Sequence, residues 1–247
     1  VCSSDLENRY AIIHNGEIFN FRELRNQLQQ QGHHFTTECD TEVILKAYVQ
    51  YRTDCLQLLD GMFAFAIWDD HEQRLFAARD RFGEKPFYYT FDTSHQQLLF
   101  ASEPKAFRAM GFPMNVNETA LLSYLGLNQV SVPGDPFQTF YEGLRQLPPA
   151  HYLLYTPEID KKGPQTFPYW KAKAATLPFR SYSSALEEFQ ERLQRSVSLR
   201  LRSDVAVGTS LSGGIDSAAI VAILHQLPKT KTSAFQHRSF TAVFPRF

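Results

Sequence analysis

An α+β domain followed by the opening of a parallel α/β domain is the architecture this sequence predicts, on three observations. Two helical periodicities precede a series of short strand-like runs between Phe21 and Ala101. A stretch rich in Pro and Gly, from Val132 to Thr176, then breaks the periodicity. After Ser183 a long amphipathic helix leads into a strand–loop–helix order, which is how parallel α/β domains begin.

Taken in order, the apolar run Tyr10–Ile13 reads as a strand stopping at Asn15-Gly16, a turn signal. Phe21, Leu24 and Leu28 recur at helical spacing, ending near Gly32. A second helix puts Val43, Ile44, Ala47 and Tyr48 on one face, with Asp40 or Thr41 as its N-cap. Met62–Trp68, Leu75–Ala78, Phe87–Phe91 and Leu98–Ala101 read as strands of an antiparallel sheet partly covered by those helices. His151–Tyr155 is the one clear strand in the interdomain connection. Ala185–Leu201 is a long helix, Val205–Gly208 a buried strand and Ala218–Leu224 a further helix. The boundaries are therefore an unassigned opening over 1–8, a first domain over 9–137, a connection over 138–182 and a second domain from 183 to 247.

Composition excludes several classes. Hydrophobic residues make up 43% and charged residues 21%, ordinary for a globular protein, and a net charge of −1 gives no field for nucleic acid. The arginines Arg192, Arg195, Arg200 and Arg202 share their helix with Glu187, Glu188 and Glu191, which reads as a solvated face. Three scattered cysteines, Cys2, Cys39 and Cys55, form neither a disulfide framework nor a zinc site and fit a reducing cytoplasm. No apolar run has the length of a membrane span.

Chemistry concentrates at two places. Ser212-Gly213-Gly214-Ile215-Asp216-Ser217 lies between a strand and a helix. Adjacent glycines let backbone approach a bulky anion, the helix start offers free N–H groups, and the two serines add hydroxyls. Asp216 is odd company for a phosphate and suggests a bound metal or a cap. The hexamer is neither a Walker loop nor, with the residues before it, a nucleophile elbow. The second place is His14-Asn15-Gly16-Glu17, where an Asn amide and a Gly N–H side by side can form an oxyanion hole. Alone, Asn-Gly is far more often a hairpin turn.

The order of further motifs changes that weighting. Asn15-Gly16-Glu17-Ile18-Phe19-Asn20, Asp40-Thr41-Glu42-Val43-Ile44, Leu59-Asp60-Gly61-Met62-Phe63-Ala64-Phe65, Ala78–Pro86 and Ala101–Ala106 follow one another, with Leu147–His151 and Tyr169-Trp170 behind. This series resembles the class II glutamine amidotransferase domain of glutamine-hydrolysing asparagine synthetases, and Ser212–Ser217 resembles the pyrophosphate loop of ATP pyrophosphatases. The resemblance runs from about Arg9 to Leu224.

It implies an Ntn-hydrolase-like αββα first domain, incomplete here, and a PP-loop second domain. It further implies an ATP-dependent carbon–nitrogen ligase that makes asparagine from aspartate, glutamine and ATP through β-aspartyl-AMP, with ATP and Mg2+ as its cofactors. Small molecules rather than nucleic acid or membrane are its partners, and a homodimer is allowed for the full-length protein. Carried over by position, Asn15 and Gly16 match the oxyanion hole, and Glu17 and Asp40 match the acids that hold the α-amino group of glutamine. Leu211 matches the residue beside adenine, Ser212, Gly213, Gly214, Asp216 and Ser217 match the nucleotide loop, and Asp216 is the candidate Mg2+ ligand. The Arg79–Pro86 segment reads as an Arg/Asp pairing network around a tight turn rather than a ligand contact.

The family's nucleophile is an N-terminal cysteine followed by Gly-Ile, whose own amine acts as base. Cys2 is not terminal, is followed by Ser-Ser and lies 13 residues before Asn15, too few for the strands and arginine the family places there. The chain is therefore expected to be a piece cut at both ends and inactive by itself. Two other readings keep part of this picture: an amidotransferase of the same build with another acceptor, as in polysaccharide or antibiotic pathways, or a non-catalytic module binding nucleotide or amino acid.

Overall fold

Strict two-residue alternation in two strands decides how the first part of the molecule is layered. The computed structural model describes residues 2–6, 9–174, 181–203, 207–227 and 238–243 and divides into two units, Val1–Lys173 and Ala174–Phe247. In chain order, the first unit contains β1 (Cys2–Leu6), β2 (Tyr10–Ile18), α1 (Phe21–Gln30), α2 (Asp40–Tyr51) and α3 (Cys55–Leu58). β3 (Gly61–Asp69), β4 (Arg74–Arg79), β5 (Tyr88–Asp92) and β6 (Gln97–Ala101) follow. It closes with α4 (Pro104–Ala109), α5 (Glu118–Leu127), β7 (Arg145–Gln146), β8 (His151–Tyr155) and β9 (Gln165–Pro168).

In β3 and β4 the bulky residues Phe63, Phe65, Ile67 and Phe76 lie on one face, packed with Leu24, Leu28, Val43, Ile44 and Tyr48 from α1 and α2. The alternate residues Ala64, Ala66, Leu75 and Ala77 pack with Phe87, Leu147 and Leu153 on the opposite face. Large side chains thus fill the helix–sheet gap, and alanines let a second sheet come close. The main sheet has the order β1-β2-β3-β4-β8-β9, antiparallel throughout, and the second has the order β6-β5-β7. Helices, sheet and second sheet form successive layers, and α4 follows β6 and packs against it.

Four details depart from the sequence reading. β2 does not stop at Asn15-Gly16 but runs on to Ile18, so this dipeptide lies inside a strand. Gly16 makes that passage possible: its φ is +141°, and a Cβ there would sit 2.0 Å from the Met62 carbonyl oxygen on the neighbouring strand. The N-cap of α2 is Cys39, and Asp40, in the first turn, spends its carboxylate elsewhere. The stretch over 138–182 supplies β7, β8 and β9, two of them strands of the main sheet, and the division between units falls after Lys173. Finally, the aperiodic opening forms β1, paired with β2 so that Cys2 opposes His14.

The second unit contains α6 (Tyr182–Arg200), β10 (Gly208–Ser210), α7 (Ile215–Gln226) and β11 (Arg238–Phe240). β10 and β11 are parallel neighbours with α7 between them in sequence, as expected of an α/β opening. Residues 205 and 206 of the expected strand lie outside the described residues. On α6, Arg192 pairs with Glu188 at 2.6 Å in the open, a solvated face as read.

Candidate functional site

The alternation that layers the first unit also sorts the residues at the end of β2. Tyr10, Ile12 and Ile18 point to the helices, and His14 shares their parity, which brings it to the start of α2. Asn15, one residue on, faces the second sheet and donates from Nδ2 to Ser102 Oγ at 3.2 Å, just past β6. Ile13, Asn15, Phe87, Phe100 and Ser102 line a small pocket between the two sheets.

Asp40 joins this group through the backbone. Its Oδ2 accepts from Ile18 N–H at 2.9 Å, which ties the first turn of α2 to the strand end beside Glu17. Its Oδ1 accepts from the Thr41 hydroxyl at 3.5 Å, and the Cys39 thiol lies against the same oxygen at 3.6 Å. Asn15, Gly16 and Glu17 are consecutive in β2, Asp40 is tied to the backbone of the residue that follows them, and each of the four is partly exposed. The residues that sequence reasoning missed here are His14, Thr41 and Ser102. All three stand within the motifs quoted above, but only the parity of His14 with Ile12 hints at a role.

The neighbouring Arg79–Pro86 turn is tight, as the sequence reading expected, but its Arg and Asp side chains hold backbone groups rather than pairing with each other. Asp80, fully buried, accepts from the N–H groups of Phe82, Glu84 and Lys85 at 3.0 Å and of Phe63 at 3.3 Å. Arg79 donates to the carbonyls of Gly83, Lys85 and Leu147. Burial pushes the Arg79 guanidinium below its ordinary value, against the pull of the Asp80 charge.

None of the cysteines with a described side chain has the setting of a nucleophile. Cys55 is fully buried, and burial, helped by Asp54, pushes its thiol well above the usual range. Cys39 faces a carboxylate rather than a cation. The side chain of Cys2 lies outside the described residues.

In the second unit the loop leaving β10 is tied down by its own hydroxyls. Ser217 Oγ donates to Gly214 O at 3.1 Å, accepts from Ser212 N–H at 3.3 Å and lies 3.1 Å from Ser212 Oγ. Gly213 takes φ +84°, and nothing stands within 4 Å of where its Cβ would be. Leu211 is fixed from both sides: its N–H donates to Phe240 O at 2.8 Å, and its carbonyl accepts from Thr241 Oγ1 at 2.9 Å. Gly214 caps α7, and Asp216 sits exposed in the first turn. The result is an open backbone cradle at a helix start, with one carboxylate at its rim. Among the described residues there is no group of three or more His, Cys, Asp or Glu side chains that could hold a metal unaided.

Comparison with known proteins covers both units. Residues 3–170 match the model of the glutamine amidotransferase domain, and residues 188–246 match that of asparagine synthase. The chain is 40% identical over 215 residues to asparagine synthetase [glutamine-hydrolyzing] 3 of Bacillus subtilis (strain 168), covering 87% of this chain and 33% of the relative. It is 36% identical over 241 residues to asparagine synthetase [glutamine-hydrolyzing] 1 of the same organism, covering 96% and 36%. It thus spans about a third of the length of these relatives. Among solved structures it is similar to glutamine phosphoribosylpyrophosphate amidotransferase from B. subtilis, complexed with ADP and GMP. That match has 19% identity and a TM-score of 0.47, and covers 91% of this chain and 46% of that one.

Proposed function

Because the chain belongs to the glutamine amidotransferase domain family, with a match to asparagine synthase over residues 188–246 behind it, we propose that it is the glutamine-binding and ATP-binding part of a glutamine-hydrolysing asparagine synthetase. The whole protein would convert ATP, L-aspartate, L-glutamine and water to L-asparagine, L-glutamate, AMP and pyrophosphate. The observation that carries this reading is the hydrogen bond from Ile18 N–H to Asp40. It ties the Asp40 carboxylate to the strand end that bears Asn15, Gly16 and Glu17, which supports reading Asp40 and Glu17 as a pair of acids for one ligand.

Two carboxylates suit an ammonium, which has three donors and no acceptor. Asn15 Nδ2 and the Gly16 N–H would then stabilise the charge that develops on the glutamine carboxamide oxygen during attack. The thiol that attacks is not assigned to Cys39 or Cys55, for the reasons of setting given above.

In the second unit, Ser212, Gly213, Gly214 and Ser217 would bind the pyrophosphate portion of ATP, with adenine beside Leu211. A single exposed carboxylate with phosphate oxygens suits Mg2+, which takes one or two carboxylates and substrate oxygens. Asp216 would hold that ion, which when bound neutralises phosphate charge. The chain's own contribution is the backbone cradle and the two hydroxyls that fix it. Small molecules are thus the partners, and the protein acts in the cytoplasm as a ligase. Among the described residues no helix is long and apolar enough to cross a membrane.

Calorimetry with L-glutamine and with 2-oxoglutaramate, which lacks the ammonium, tests the first site. The chain should bind glutamine at least about tenfold more tightly, equal to about 1.4 kcal/mol. Asp40→Asn should abolish that preference. Equal affinity for the two ligands in the unsubstituted chain would sink the reading.

A further inference from the structure

A buried histidine stands behind the Asp40 carboxylate, and none of the roles above uses it. His14 is 2% exposed, and its Nδ1 lies 3.2 Å from Thr41 Oγ1 and 3.9 Å from Asp40 Oδ1. Its Nε2 is buried without a hydrogen-bond partner among the described residues. Thr41 has one hydroxyl proton. Given to Asp40, as the 3.5 Å contact places it, that proton leaves Oγ1 to accept from His14. The direction is then Nδ1–H to Oγ1, and Oγ1–H to Oδ1. The neutral ring carries its proton on Nδ1, and the buried Nε2 is a bare lone pair rather than an orphaned donor.

We propose that His14 is a positioning residue of the α-amino subsite: through Thr41 it fixes the Asp40 carboxylate, and its neutral ring leaves that charge to the ligand's ammonium. The inference rests on the reading of Asp40 as an ammonium-holding acid. Protonation of His14 would place a cation 3.9 Å from the carboxylate that the ammonium needs. It would also bury an N–H that has no acceptor among the described residues, at a cost in free energy.

Burial holds the His14 imidazole below its ordinary value. Asp40, from α2, pulls the other way, and Lys85, from the turn after β4, pushes it down further. Glu42, also on α2, is engaged with Thr36 and Thr37 instead. The sign follows: ligand affinity is complete above the His14 pKa and is lost as pH falls through it. The window therefore lies below the ordinary imidazole value of about 6.5.

The test is glutamine affinity of the chain by calorimetry at about pH 7.5 and about pH 5.5, with His14→Gln and His14→Phe alongside. The unsubstituted chain should bind about threefold more weakly at the lower pH, an order-of-magnitude linkage expectation. His14→Gln, which can still donate to Thr41, should keep the affinity at the higher pH and lose the difference. His14→Phe, which cannot donate, should bind more weakly at both. Should the variants fail to fold, an NMR titration of the His14 ring replaces them. By reciprocity, bound glutamine must make the ring harder to protonate by the same factor. An unchanged pH dependence in a folded His14→Gln, or a His14 titration that glutamine does not move, overturns the proposal. No glutamine binding at any pH, or full binding by Asp40→Asn, overturns the subsite reading and this inference with it.

Discussion

Gly16→Ala should lower the stability of the first unit by about 4 kcal/mol, the sum of a strained backbone and an overpacked strand pair. At φ +141° a side chain is already disfavoured, and the new Cβ would lie 2.0 Å from the Met62 carbonyl oxygen and 2.8 Å from Phe63 Cα. Backbone cannot swing aside as a side-chain tip can. The central pair β2–β3 would have to part, and Gly61 faces the same constraint from across it, 2.3 Å from the Glu17 carbonyl oxygen. For a unit of this size the melting temperature should fall by roughly 10 °C. Gly32→Ala is the control. Its φ is +93° but nothing stands within 4 Å, so only the backbone part, about 1 kcal/mol, should be lost. Equal melting temperatures for the two variants would show that strand crowding at Gly16 is not a constraint.

Asp80→Ala should be as damaging, for an electrostatic reason. Four backbone N–H groups converge on this one buried carboxylate, and its removal orphans them while taking away the charge beside the buried Arg79 guanidinium. At about 1 kcal/mol or more for each buried donor left unsatisfied, the loss is about 4 kcal/mol. Asp80→Asn keeps one oxygen acceptor but turns the other into a donor facing donors, and should lose about half as much. Chemical denaturation resolves both. An Asp80→Ala midpoint within error of the unsubstituted chain would contradict the role given to this residue. The consequence reaches the sheet that bears the site, because Asp80 also holds the Phe63 N–H near the start of β3.

Sequence periodicity goes far toward this fold, for reasons visible in particular residues. Leu24 and Leu28, and then Val43, Ile44, Ala47 and Tyr48, recur at the helical period and form the faces that are buried. Phe63 to Ile67 and Leu75 to Ala78 are apolar at every position, which is what a strand between two packed layers requires. The sequence could not show where a strand passes through a turn-like dipeptide. Asn15-Gly16 has the local chemistry of a hairpin, and only the approach of Met62, 46 positions later in the chain, makes it a crowded strand position. β8 coincides with the His151–Tyr155 strand read from the sequence, whereas β9 was hidden by the Pro and Gly around it and ends on Pro168 at a sheet edge, where a missing N–H costs no ladder bond.

The candidate site divides along the same line. Asn15, Gly16, Glu17 and Asp40 were singled out by the order of their motifs, and the Ser212–Ser217 loop by a composition that suits an anion. Ser102 was not, since its bond to Asn15 spans 87 positions. His14 was quoted but unassigned. A histidine before an Asn-Gly pair gains meaning only when strand parity and the start of α2 bring it against Thr41.

The central claim is that the end of β2 and the start of α2 form a glutamine site, and a crystal structure of this chain grown with L-glutamine tests it most directly. The account predicts the α-ammonium between the Glu17 and Asp40 carboxylates and the carboxamide oxygen toward Asn15 and Gly16. Glutamine bound elsewhere, or with its carboxamide at Asp40 and its ammonium in solvent, would contradict it.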